Sequence, residues 1–185
     1  MNLFLSQLES PMGTMLLVTD AEDVVRALEF SDHKARMRRR LREQYGEVQL
    51  ADARAPIEIA NAFACYLGGD LHALDGLRTK TVGSELQHKV WEALRGIPVG
   101  TTTTYGKLAR DLGFTDRRAA IDIGAANGAN PIAIIVPCHR VIASNGDLKG
   151  YAWGLHRKRW LLEHEKVSGM KGNEPESQTA MLPGF

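Results

Sequence analysis

Short apolar runs at residues 2–8, 14–19 and 24–30 predict three strands. Turn residues separate them, Ser10-Pro11-Met12-Gly13 and then Asp20-Ala21-Glu22-Asp23, so the three make a meander. The period then changes to that of a helix. Met37, Leu41 and Tyr45 recur every fourth residue and predict a helix over 32–45. Pro56 suits a first helical turn, and Ile59, Phe63, Tyr66 and Leu67 give the next apolar face, ended by Gly68-Gly69. Residues 70–81 carry no period and read as a connector, which places a boundary near residue 80. Beyond it, Ser84 and Gln87 form a capping box ahead of Leu86, Val90, Trp91 and Leu94. Thr104 can cap a helix over 105–112 that Gly113 ends, and a third helix is predicted over 118–129. Short helix, brief turn and second helix together suggest a helix-turn-helix. The mostly β-branched run at 132–136 predicts a buried strand, which Pro137 ends because it has no N–H to donate. Asn145-Gly146 marks a tight turn. A last helix over 155–165 should turn Leu155, Trp160, Leu161 and Leu162 inward and Arg157, Lys158 and Arg159 outward. The resulting class is α/β (α+β). A small meander-plus-helix domain at 1–80 precedes a mostly helical domain at 81–166 and a flexible polar tail at 167–185.

Composition narrows the setting. Of 185 residues, 44% are hydrophobic and 24% charged, an ordinary globular balance with room for real cores. The net charge of +1 neither favours nor excludes nucleic acid, so any basic surface must be local. One local candidate is the polar face of the helix at 32–45, with Lys34, Arg36, Arg38, Arg39, Arg40 and Arg42. Such runs are mostly solvated faces, with a DNA-backbone patch as the alternative. No apolar stretch is long enough for a membrane span, and no secretory signal is visible. The two cysteines, Cys65 and Cys138, form no CxxC pair, which argues against disulfides and a cysteine-rich zinc site and fits a reducing cytoplasm. Cys65 lies in the second helix without His or acidic partners and reads as a structural, buried cysteine.

Candidate chemistry concentrates at Cys138-His139-Arg140. A thiol is a weak nucleophile at neutral pH until its proton is removed or its pKa lowered. His139 is an available base and Arg140 an available positive charge; a buried Cys packing as a small hydrophobe is the bland alternative. The helix at 118–129 is rich in small residues, among them Ala119, Ala120, Gly124, Ala125 and Ala126. Small side chains allow close approach, either to a neighbouring helix or to a DNA groove.

Asn130-Pro131, Pro137-Cys138-His139-Arg140-Val141, Gly150-Tyr151, and Leu161-Leu162 with His164-Glu165 resemble, in this order, the O6-alkylguanine-DNA alkyltransferase family. Ile97-Pro98, Gly100, Tyr105-Gly106, Leu108-Ala109 and Gly124-Ala125-Ala126 match further upstream. The resemblance implies a recognition helix that enters the DNA minor groove. It implies that Cys138 accepts an alkyl group, with His139 as its base (through a water), Glu165 orienting the imidazole and Asn130 in the same network. Tyr105 is then expected to donate toward guanine N3 and crowd a phosphate. Tyr151 and the backbone after the cysteine line the guanine pocket, and Gln87, Ile121, Ser144 and Trp153 complete the DNA- and substrate-contacting candidates. The partner implied is double-stranded DNA carrying O6-alkylguanine, bound by a monomer, with no metal and no cofactor. A thiolate is a poor leaving group from an unactivated carbon, so one turnover per molecule is expected.

Three positions depart from the family pattern. Ile121 stands where an arginine usually fills the space of the flipped base; an aliphatic wedge, or Arg117 or Arg118 nearby, would have to serve. Ala152-Trp153 replaces small residues, and Trp153 is expected to narrow the pocket mouth or stack on a bulky alkyl group. The first sixty residues hold His33 and no cysteine, so the zinc site of some relatives is not expected. Two other functions compete: a protein that binds alkylated DNA without repairing it, which would lack the acceptor cysteine, and a Cys-His hydrolase, whose histidine would lie far from its cysteine in sequence.

Overall fold

The structure is a computed structural model that describes residues 1–116 and 118–168. Arg117 and nearly all of the expected tail, residues 169–185, lie outside the described residues. Strands β1 (Leu3–Leu8), β2 (Met15–Asp20) and β3 (Val25–Phe30) form the expected antiparallel meander. A one-turn 3-10 helix, Ser31–His33, leads into α1 (Lys34–Tyr45). A short strand β4 (Leu50–Asp52) then pairs parallel with β1, giving the sheet order β3-β2-β1-β4. Its three residues, two of them exposed, carry no alternation that could have announced it. Helix α1 covers one face of the sheet through Met37 and Leu41, against Leu3, Leu16, Val18 and Ala27. The other face turns Met15, Leu17, Leu28 and Phe30 into a larger core shared with every later element that bears on the site. Both faces of β2 and β3 are therefore buried.

After α2 (Ile57–Leu67) the chain enters α3 (Glu85–Arg95), whose capping box is formed by Ser84 and Gln87. Helix α4 (Tyr105–Asp111) is capped by the Thr104 side chain, and α5 (Ala119–Gly128) packs on both α4 and α3. That is the expected helix-turn-helix. A two-stranded parallel ribbon, β5 (Thr103–Thr104) with β6 (Val141–Ile142), ties α4 to the segment after Cys138. Helix α6 (Leu155–His164) closes the domain. Among the described residues no helix is long and apolar enough to cross a membrane.

Four expectations need correction. The run at 132–136 is fully buried but is not a strand. It makes one bridge, Ile132 to Leu28, and then turns through Ile134, whose φ is +67°. Two of its carbonyls, Ile132 O and Val136 O, are taken by the Asn130 side chain rather than by a ladder. Periodicity cannot separate a buried strand from a buried turn when every side chain is apolar. In α6, Leu155 is exposed, whereas Arg157 and Lys158 are buried. Cys65 is exposed, because the stripe Ile59, Phe63, Tyr66 faces the core from the opposite side of α2. The basic face of α1 is solvated at Lys34, Arg38, Arg39 and Arg42, but Arg36 turns inward.

Candidate active site

Pro137 delivers the chain into a single 3-10 turn, Cys138–Arg140, and all three of its residues are buried; Cys138 is 2% exposed. The turn is held from behind by Asn130. Its Oδ1 accepts from the Ile132 N–H at 2.9 Å, which fixes the amide's orientation. Its Nδ2 can therefore only donate, and it reaches Val136 O at 2.8 Å and Cys138 Sγ at 3.2 Å. One side chain thus shapes the loop and supplies a hydrogen bond to the sulfur. Pro131 disfavours helical backbone at Asn130 and so limits how far its side chain can be redirected.

Glu165, just past the end of α6, is buried and accepts from three residues. His139 Nε2 lies 3.0 Å from Oε1, Tyr66 OH donates to the same oxygen at 2.9 Å, and Arg140 donates Nη2 to Oε1 and Nε to Oε2, each at 2.8 Å. Arg140 also donates to Ile97 O at 2.6 Å. Burial opposes the Glu165 charge, yet hydrogen bonds from His139 and Arg140 outweigh it and hold the carboxyl well below the usual range. An ionised Glu165 has only lone pairs to offer, so His139 Nε2 carries the proton. Nδ1, which has no partner among the described residues, is then left as the basic nitrogen. Burial also pulls His139 below its ordinary 6.5, against the pull of Glu165.

Burial pushes the Cys138 thiol up to about 11; Asn130, Lys158 and Arg36 each act in the opposite direction. The resting site is therefore a neutral thiol beside a neutral imidazole. Lys158 is the cation nearest in effect, and its side chain is entirely buried. Its ammonium donates to Val141 O at 2.7 Å, Gly150 O at 3.1 Å and Lys149 O at 3.3 Å. None of the ion pairs among the described residues gives it a carboxylate. Burial lowers it to about 8, and Cys138 is the group that works to raise it.

The other expected residues are distributed as follows. Tyr105 opens α4, half-buried, and its hydroxyl donates to Lys149 O at 3.5 Å. Burial and Cys138 both raise its pKa. Tyr151 has a buried hydroxyl with no partner among the described residues. Trp153 does not line a pocket mouth as expected: it is fully buried, edge-on behind Tyr151 with ring centroids 5.0 Å apart. Ile121 stands 71% exposed on α5. Gln87 is half-buried, and its Oε1 accepts from the Ser84 N–H in the capping box. Ser144 is exposed at the turn before Gly146. Sequence reading missed Tyr66, Arg140 as a carboxylate clamp, Lys158 and Arg36. For Lys158 a signal existed, since 158, 161, 162 and 165 follow the i, i+3, i+4, i+7 spacing of one helix face.

The chain is similar to known proteins. Residues 85–167 match the family model described as 6-O-methylguanine DNA methyltransferase, DNA binding domain. A methylated-DNA–protein-cysteine methyltransferase of Salmonella typhimurium is 44% identical over 161 residues, covering 86% of this chain and 93% of that protein. One from Methanosarcina acetivorans is 38% identical over 157 residues, covering 85% and 94%. The Mycobacterium tuberculosis OGT crystallised in complex with DNA superposes with a TM-score of 0.72 at 34% identity, covering 88% of this chain and 92% of that one. With its buried Cys-His-Arg turn, its Asn130 and Glu165 supports and this breadth of similarity, the chain belongs to the methylated-DNA–protein-cysteine methyltransferase family.

Proposed function

We propose that this protein is a methylated-DNA–[protein]-cysteine S-methyltransferase that repairs double-stranded DNA by moving the alkyl group of O6-alkylguanine onto its own Cys138. The observation that carries this reading is the Cys138 sulfur held by Asn130 beside a histidine whose tautomer Glu165 fixes. His139 Nδ1 takes the thiol proton through one water. The thiolate attacks the alkyl carbon; a C–S bond forms and the C–O6 bond breaks. The electron pair left on the base is balanced by a proton that Tyr105 supplies toward guanine N3, while Tyr151 lines the pocket. Because O6 is stacked within a duplex, the base must be extruded, at a cost of a few kcal/mol. Exposed Ile121 is the aliphatic wedge for the space left behind, with Gln87 and Ser144 contacting the flanking DNA.

The product is a thioether, and each molecule works once. Residues 1–80 serve as support and 81–166 bind DNA and accept the alkyl group. The protein acts as a monomer in a reducing cytoplasm, where Cys138 stays free. Binding without repair is the weaker reading, since the acceptor sulfur is present. Mixing limiting protein with duplex bearing labelled O6-methylguanine should give a burst equal to the protein present and no further turnover, and Cys138→Ser should give none. Continuing turnover, or a burst from Cys138→Ser, would overturn the reading.

Trp153 bears on the choice of adduct from behind the pocket wall. Trp153→Gly removes a fully buried indole and should cost about 3–5 kcal/mol of stability. It should also free Tyr151 to move, changing the rate of inactivation by free O6-benzylguanine relative to methylated duplex. Equal benzylguanine inactivation of wild type and variant would refute this role.

A further inference from the structure

From the N-terminal half of the chain, one arginine reaches the end of α5 and the peptide of Asn130, whose side chain holds the nucleophile. Arg36 sits on α1, among arginines that are otherwise solvated, yet its own side chain is 13% exposed. Its Nη1 donates at 2.6 Å to Oε2 of Glu29, a β3 residue that is essentially inaccessible. Burial pushes Glu29 up to about 7 even with Arg36 beside it, so the pair is held where water screens little. The other end of the guanidinium, Nη2, donates to Gly128 O at 2.8 Å and Asn130 O at 3.0 Å. These are carbonyls at and just past the end of α5, where a helix leaves acceptors unpaired and favours a cation. The guanidinium plane also lies over Trp153, 4.9 Å from the ring centroid. Trp153 in turn backs Tyr151 edge-on and meets Phe30 of β3 at 6.5 Å.

We propose that Arg36, seated on Glu29, is a positioning residue for alkyl transfer, by which the N-terminal domain locks the end of the DNA-facing helix, the Asn130 that donates to Cys138, and the Trp153-backed wall of the base pocket into one geometry. The proposal rests on the alkyl-transfer reading above. Its physical content is rigidity at the sulfur. The peptide that Arg36 grips belongs to the residue whose side chain bonds Cys138 Sγ, so releasing the grip lets that donor drift. It also withdraws a positive charge from the thiolate's surroundings.

The test uses full-length protein in a Cys65→Ser background, because exposed Cys65 would also react with thiol reagents. Arg36→Met keeps the length and the packing on Trp153 but strands Glu29, so Glu29→Gln/Arg36→Met is made beside it, and Arg36→Lys serves as the conservative variant. Three quantities are measured: the single-turnover rate at saturating O6-methylguanine duplex, the Kd for that duplex, and the pH profile of Cys138 alkylation by iodoacetamide without DNA. A clamp predicts that the rate at saturation falls about tenfold or more in the double variant. Kd should change much less, the thiol profile should move to higher pH, and Arg36→Lys should recover part of both. If the double variant does not fold, Arg36→Lys and Glu29→Gln carry the same readouts with partial effects. A rate and thiol profile equal to the parent's, with only thermal stability lowered, would reduce Arg36 to a domain contact and overturn the proposal. A parent that transfers no methyl group would sink the repair reading instead, while the DNA-free thiol profile would still decide the clamp.

Discussion

Glu165→Gln is expected to lower the single-turnover rate of alkyl transfer by about 10²–10⁴-fold, the range general-base assistance supplies. The carboxylate accepts from His139, Tyr66 and Arg140 at once. An amide replaces one acceptor oxygen with a donor, so one of those partners must face an N–H. Either His139 loses the interaction that fixes its tautomer, or the buried Arg140 loses its counter-charge. Removing one partner of a buried ion pair typically costs about 3–5 kcal/mol. The pH dependence separates this from a general loss of packing. The Glu165 carboxyl is held well below its ordinary 4.5 in the folded protein. A depressed acid stabilises the fold at pH above its unfolded value and loses that contribution as pH falls through the folded value. The melting temperature of wild type should therefore fall below about pH 4.5 more steeply than that of Glu165→Gln. Parallel pH profiles would contradict the assignment.

Lys158→Met should reduce transfer by about two orders of magnitude while changing stability far less. A buried ammonium without a carboxylate is costly, and replacing it with an apolar group of similar length removes that desolvation penalty. The loss of a donor to three carbonyls works against the gain. What the variant cannot replace is the charge. The thiolate formed during transfer is the counter-ion that the resting site lacks, so Lys158 stabilises the state reached on the way to reaction more than the ground state. The sign of its pH effect follows. Lys158 is brought down to about 8, so wild-type rates should decline as pH rises through that region and the ammonium is lost. On the acid side, the proposed base His139 must be neutral to take the thiol proton; burial lowers its pKa, so activity should persist below pH 6.5. A wild-type rate that climbs without limit from pH 7 to 10 would contradict the role given to Lys158.

How far the sequence carried these conclusions depended on the range of the interactions involved. The meander, the capping box at Ser84 and the α4–α5 turn were readable because their determinants lie within a few residues. The Cys138-His139 pair, Asn130 and Glu165 were nominated by motif resemblance, and their spatial convergence depends on a loop that periodicity misread as a strand. That loop folds on the Asn130 side chain, and no propensity scale anticipates an interior built on one amide. Lys158 was legible in principle, since its spacing to Leu161, Leu162 and Glu165 marks it as inward, but its charge argued for solvent. Arg36 was not legible, because the carbonyls it binds lie 92 and 94 residues further along the chain. Nor was Tyr66, which reaches Glu165 across 99 residues.

Carbon should leave the damaged base and stay on one sulfur. The most direct test is the intact mass of the protein after mixing with duplex containing O6-methylguanine, followed by peptide mapping. One added methylene per chain is expected, on the peptide carrying Cys138 and not on the exposed Cys65, with the duplex returned to guanine and Cys138→Ser unchanged in mass. Protein of unaltered mass bound to an unrepaired duplex, or a methyl group found on Cys65, would contradict it.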